Sequence, residues 1–255
     1  MSKLWKAKLS AFGIHILFSI TIISVFMALV TQVWFPGLLF HLEDVWEGLR
    51  ILVPVDAILG PILTLILFVP GKKGLVGDLV IVVLLQISAL IYGAYTIYDQ
   101  RPEAIVFAGD RFEVLPASKF DKSQLQETEF DLEKLPYPLV TYSLPAQSEE
   151  ERKIFIFDNV QYQKMAERFR PIEGHREKVL SRALNIDYFT PKSDATTKAL
   201  AQLRETYDTN KHALFVLEST TAMSAVMILN KSDFSIQGYV NIDPWDEYNR
   251  PVKQP

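Results

Sequence analysis

The sequence predicts a membrane α-helical part of three transmembrane helices, followed by a small extracytoplasmic α+β domain with a mainly antiparallel sheet. Three observations predict it. The first hundred residues hold three long apolar runs separated by short charged segments; from Asp99 on, charges become frequent and apolar runs shorten to strand length; and the last apolar stretch alternates with polar residues. Residues 1–98 are therefore expected to form a three-span domain, with spans at about 11–34, 51–69 and 75–98, and residues 99–255 the outer domain.

Each span has its own signature. Ala11 to Trp34 contains no Lys, Arg, Asp or Glu, and His15 is the ionisable group inside it. About 24 residues at ~1.5 Å each cover roughly 36 Å, enough for a tilted crossing. Lys3, Lys6 and Lys8 make a basic front like that of a signal peptide, but the run is too long for one and ends in Gln32-Val33-Trp34-Phe35-Pro36 rather than a small-residue cleavage site, so a retained anchor is expected. Ile51 to Val69 lies between Arg50 and Pro70-Gly71-Lys72-Lys73. Leu75 to Tyr98 carries Asp78 near its start, and Tyr92, Tyr95 and Tyr98 at its end, where amphipathic rings suit an interface. Basic residues dominate the N-terminal tail and the second loop, whereas the first loop holds Glu43, Asp44 and Glu47 against Arg50. The N-terminus is then cytoplasmic and residues 99–255 lie on the other side.

In the outer domain, Ala104–Phe107 and Phe112–Leu115 flank Ala108-Gly109-Asp110-Arg111 as a hairpin. Residues 116–150 show no sustained period and are expected to be short helix and loop. Lys153–Phe157 suggests a strand. Tyr162, Met165, Ala166 and Phe169 fall at helical spacing until Pro171, and a further helical piece runs from about His175 to Leu184. Ser193 or Asp194 caps a helix whose apolar side is Ala195, Ala199, Leu203 and Tyr207. The closing sheet is expected at Ala213–Leu217, Ala222–Leu229 and the alternating Phe234, Ile236, Val240 and Ile242, with a turn at Asn230–Asp233 and a frayed end at 251–255.

The second span holds the residues that invite a functional reading. Asp56 is a carboxylate in an apolar segment, where ionisable groups are costly and mark functional sites by default. Its bland alternative is an internal polar link to Thr64, Gln86, a tyrosine or a backbone amide freed by Pro61. Gly60 and Pro61 imply a kink with close helix approach, serving either as a docking groove for another transmembrane helix or as packing among the native spans. Lys72 and Lys73 most simply obey the positive-inside rule.

Other chemistry finds no support. The chain has no cysteine, which removes disulfides, thiolate metal sites and thiol catalysis. His15, His41, His175 and His212 lack metal-ligand spacing, so no metal site is expected, and no nucleotide-binding or hydrolase motif occurs, so neither a cofactor nor an enzymatic activity is. With 26 basic against 30 acidic residues, nucleic acid is not an expected partner. Asp243, Asp246 and Glu247 cluster around Trp245 and Tyr248, most simply as a solvated loop.

The run Val53-Pro54-Val55-Asp56-Ala57-Ile58-Leu59-Gly60-Pro61-Ile62-Leu63-Thr64, continued through Phe68-Val69-Pro70-Gly71-Lys72-Lys73, preceded by Trp46-Glu47-Gly48-Leu49 and followed by Gln86 and Tyr92-Gly93, resembles the type IV pilin accessory protein family of the TfpX/TfpZ type. The similarity covers roughly residues 10–115. It implies a bacterial inner-membrane protein with a periplasmic outer domain, acting in type IV pilus biogenesis as a chaperone that binds the major pilin before assembly, with other pilus-assembly proteins as further partners. On that reading the expected partner-binding residues are Asp56, Gly60, Pro61 and Thr64, with Lys72 and Lys73 better placed than Asp56 for charge pairing near the pilin's cytoplasmic terminus. The alternatives are a membrane sensor or regulator of pilin production, for which the short cytoplasmic segments leave little room, and a subunit of a transport complex using Asp56.

Overall fold

A computed structural model describes residues 3–125, 129–158, 161–221 and 223–249, without the side chain of Ile51. The chain divides into two compact units, residues Met1–Pro36 with Asp44–Asp99, and Gly37–Glu43 with Gln100–Pro255.

The first unit contains three helices long and apolar enough to cross a membrane: Lys3–Trp34, Val45–Leu67 and Leu75–Asp99. The first is α1 (Lys3–Leu29), whose last turn, Val30–Trp34, widens so that the Phe35 N–H donates to the Val30 carbonyl at 2.8 Å. The second helix is interrupted by its prolines. After the short α2 (Leu39–Leu42) of the other unit come α3 (Val45–Pro54), a π-helical segment over Val55–Leu59, and α4 (Gly60–Leu67). Pro54 and Pro61 offer no N–H to the ladder, and the wider π turn between them lets the helix continue. Gly71 and Gly74, at φ of 79° and 85°, then turn the chain into α5 (Leu75–Asp99). The first and third helices each pack against the second. Close approach is permitted by Gly93, which abuts Leu52, and Gly60, which abuts Gln86. The second helix begins at Val45, six residues before the expected start of the span, so Asp56 lies midway along it.

The second unit is a seven-stranded sheet with helices against it. Its strands are β1 (Pro102–Ala108), β2 (Arg111–Pro116), β3 (Leu139–Ser143), β4 (Phe169–Pro171), β5 (His212–Glu218), β6 (Ser224–Asn230) and β7 (Ile236–Val240), in the order β4-β3-β1-β2-β5-β6-β7. The expected hairpin is β1–β2, closed by Gly109 at φ 69° and Asp110. Most of its pairings are antiparallel, as expected, but the sheet is mixed: β1 runs parallel to β3, and β2 parallel to β5. Its helices are α6 (Glu149–Phe157), α7 (Arg176–Leu180), α8 (Asp194–Thr206) and α9 (Pro244–Glu247). Helix α8 begins at Ser193, whose hydroxyl accepts the Thr196 N–H at 3.0 Å, and it buries Leu200 and Leu203 against Leu214, Val216 and Val226. A second apolar cluster is built around Val106, Leu115, Leu139 and Phe169.

Several local expectations are corrected. Lys153–Phe157 is the end of α6, not a strand: the Ser148 hydroxyl accepts the Glu151 N–H at 3.1 Å, and Glu149, Glu150 and Glu151 sit in the first turn, where acidic residues favour a helix. Residues Tyr162–Phe169 form two single 3₁₀ turns leading into β4, because Phe169 is drawn into pairing with Ser143 of β3. The piece expected over His175–Leu184 is helical only for Arg176–Leu180, since the Leu184 N–H is taken by the Leu214 carbonyl at 2.7 Å. Strand β7 is shorter than the alternation implies, with Phe234 held before it at φ 55°. Ala222 and the expected frayed end at 251–255 lie outside the described residues.

Candidate functional site

Independent polar arrangements stand out in each unit. In the first unit a cavity of about 730 Å³ lies between the first and third helices, with the second as its floor. Asp56 and Thr64 line the floor, His15 the side of α1 and Gln86 the side of α5. The remaining wall is chiefly apolar, and its rim residues Ile14, Phe18, Val83 and Ile87 are exposed.

The prolines account for part of this chemistry. In a π-helical turn the Asp56 carbonyl would be met by the N–H five residues on, and that residue is Pro61, which has none. The Gln86 side-chain amide reaches the same carbonyl at 3.4 Å. Thr64 Oγ1 and His15 Nδ1 lie 2.6 Å apart, so both are satisfied by the chain itself. The Asp56 side chain is different. The residue is 5% exposed, and its Oδ1 has no hydrogen-bond partner. A buried acceptor left unmade is costly, and more so in an apolar setting.

The structure thus brings together Asp56 and Thr64 of the expected partner-binding residues with Gln86, expected as an internal partner of Asp56, and adds His15 as a neighbour. Gly60 and Pro61 are buried in the same helix, and Gly60's free side is filled by Gln86 of the chain's own third helix. Lys72 and Lys73 stand apart from the cavity lining, exposed at the turn before α5, where Lys72 Nζ pairs with Asp78 Oδ2 at 2.5 Å. The signal for His15 was its being a lone ionisable group in an apolar run; its partner 49 residues away leaves no local trace.

The sheet unit holds two further arrangements. Segment Gly37–Glu43 belongs to it: Thr221 Oγ1 donates to the Leu42 carbonyl at 3.0 Å, and the Glu43 carboxylate accepts the Thr220 N–H at 3.4 Å and the Thr220 hydroxyl. Burial pushes the Glu43 carboxyl up to about 7 despite these donors. At the far end of the chain the carboxylates around Trp245 are fastened rather than merely solvated. Asp243 accepts the Trp245 N–H at 2.9 Å and the Ser224 hydroxyl at 2.5 Å, Glu247 is buried, and Asp246 pairs with Lys192. Arg111 lies 4.7 Å over the Trp245 ring and is held by Glu218 at 2.8 Å. Among the described residues no group of three or more His, Asp or Glu side chains is placed to hold a metal ion.

Comparison with known proteins gives consistent similarities. Over 136 residues the chain is 34% identical to a fimbrial assembly protein of serogroup I from Dichelobacter nodosus, covering 52% of each chain. Over 114 residues it is 36% identical to a fimbrial assembly protein of serogroups C1 and C2 from the same organism, covering 44% of this chain and 86% of that relative. A fimbrial assembly protein of serogroup E1 is 32% identical over 136 residues, again 52% of each chain. The match therefore spans about half the length of the first and third of these relatives and most of the second. No family model and no solved structure matches the chain.

Proposed function

Because this chain belongs to the fimbrial assembly protein family, we propose that it is a membrane-embedded accessory factor of type IV pilus biogenesis that binds the pilin subunit before assembly. Its three apolar helices cross the bacterial inner membrane with the N-terminus in the cytoplasm, and the sheet domain stands in the periplasm. A chaperone of this kind needs no bond-making chemistry. It needs a surface that receives an apolar helix and releases it, so its affinity is modest and its dissociation fast.

The observation that carries the reading is the cavity floored by Asp56 and Thr64, a mostly apolar recess lined also by His15 and Gln86. Sites that recognise ligands combine mostly apolar walls with a few convergent polar groups in this way. Lys72 and Lys73 are assigned to orientation in the membrane rather than to the client.

The test is the fate of pilin in a strain lacking the protein. The expected result is loss of surface pili, with pilin degraded faster and its transcript unchanged. A fall in pilin transcript that precedes the fall in pilin protein would replace this reading with a regulatory one. Unaltered pili and pilin with impaired solute uptake would replace it with a transport role.

A further inference from the structure

Helix α6 turns apolar side chains outward as well as inward. Phe155 is the residue it packs with: the ring stacks on Tyr162, centroids 5.6 Å apart, and the Arg168 guanidinium lies 5.0 Å over it. On the opposite side Ile154, Ile156 and Phe157 are exposed, at 51%, 65% and 81%. Lys153, Ile156 and Phe157 follow the i, i+3, i+4 spacing of one helix face, and Ile154 joins it through Phe157 three residues on. Glu149 and Glu151 are taken by Arg152 and Arg168, and Lys153 is paired with no carboxylate among the described residues. A helix on a water-facing surface ordinarily turns charge outward, and a contiguous apolar patch there marks an interaction site. Its place in the sheet unit narrows the partner. Tyr162 abuts the β1–β2 turn, where a methyl group on Gly109 would sit 3.7 Å from the Tyr162 hydroxyl, and its carbonyl accepts the Ser143 hydroxyl of β3 at 3.1 Å. Strand β1 starts at Pro102, just after α5, and its length at ~3.3 Å per residue puts that turn roughly 20 Å further on. The face therefore lies at the end of β1 remote from the point where the chain leaves its last long apolar helix, which favours a protein over the bilayer surface.

We infer that the outer face of α6 is a docking surface for the globular part of the pilin, which meets it with an apolar groove bordered by a carboxylate. The inference deepens the proposed chaperone role and rests on it. Two observations choose this occupant over a second copy of the chain. The three exposed side chains present on the order of 400 Å², about half of one partner's share of a standard interface, which suits a contact that is made and released rather than a permanent dimer. Lys153 stands in the middle of the face, so a symmetric pair of copies would set Lys153 against its own counterpart, whereas an acidic partner would pair it.

The experiment places a photoreactive amino acid at Ile154 of the full-length protein in pilus-forming cells, and pilin co-isolated with the protein in mild detergent is measured in parallel. Expected is an adduct between Ile154 and the globular part of pilin, its yield falling about tenfold in Phe157→Ser at equal protein level, as for loss of a central apolar anchor. Lys153→Glu, which sets like charge against the partner's carboxylate, should lower it at least about threefold, and it carries the test alone should Phe157→Ser fail to accumulate. Pilin co-isolated without an Ile154 adduct, or with a yield indifferent to both substitutions, would overturn the docking surface and leave the chaperone role standing. Adducts with lipid or a second copy alone, while pilin still co-isolates, would overturn it likewise. Absence of pilin in both readouts would remove the chaperone role and the docking surface with it.

Discussion

Gln86 occupies the space that a side chain at Gly60 would need: a methyl group there would sit 2.1 Å from Gln86 Nε2 and 2.4 Å from its Cδ. The same amide reaches the Asp56 carbonyl that Pro61 leaves without a backbone donor. Glycine, proline and glutamine thus form one device in which a break in the second helix is closed by the third.

Gly60→Ala should displace Gln86 and destabilise the helical unit by about 1–3 kcal/mol, the usual cost of overpacking. Adding Gln86→Ala should recover part of that loss, because the two residues share one space. Unfolding of the full chain in mixed micelles measures both.

The His15–Thr64 contact joins two long apolar helices, and hydrogen bonds between such helices contribute modestly in membranes. A double-mutant cycle of His15→Ala and Thr64→Val should return a coupling of about 0.6 kcal/mol. Zero coupling would mean that the pair does not form in the bilayer.

Glu43 makes the sheet unit sensitive to pH. Its carboxyl is raised from 4.5 to about 7 by burial, so the folded state prefers the protonated form. The stabilisation is complete below pH 4.5 and is lost as pH rises through about 7. Hydrogen exchange of Gly37–Glu43 should therefore show protection that declines over this range relative to Glu43→Gln measured at each pH. A wild type that follows the variant throughout would contradict the assignment.

In the sheet domain the expected costs separate by mechanism. Leu214→Ala removes a fully buried side chain and should lose about 2–5 kcal/mol, whereas Ser193→Ala removes the α8 cap and should lose about 1 kcal/mol. Exchange protection across β5 and α8 in the full chain reports both.

Much of this was legible in the sequence, and for identifiable reasons. Three apolar runs announce three long helices because length and composition alone carry that signal, and Ser193 announces α8 because its cap is a local hydrogen bond. The Gly109-Asp110 turn is local too. What escaped is what depends on distant partners. The parallel joins β1–β3 and β2–β5 link segments far apart in sequence, and nothing in either strand records its neighbour's direction. The apolar run Lys153–Phe157 has strand composition, and the cap upstream of it decides otherwise. Asp56 was conspicuous as a carboxylate among apolar residues, but only the fold shows that Thr64 is already engaged by His15 while Asp56 Oδ1 is not. The attachment of Gly37–Glu43 to the sheet domain rests on Thr220 and Thr221, some 180 residues on, at separations of 177 and 179.

We propose that this protein holds a pilin by its apolar helix. The most direct measurement is equilibrium binding of full-length pilin to the full-length protein in lipid nanodiscs, beside the pilin head lacking its helix. The account predicts saturable binding in the micromolar range, about −8 kcal/mol, for the intact subunit, and at least about tenfold weaker binding for the head alone. No binding of intact pilin, or equal binding of the two forms, would contradict it.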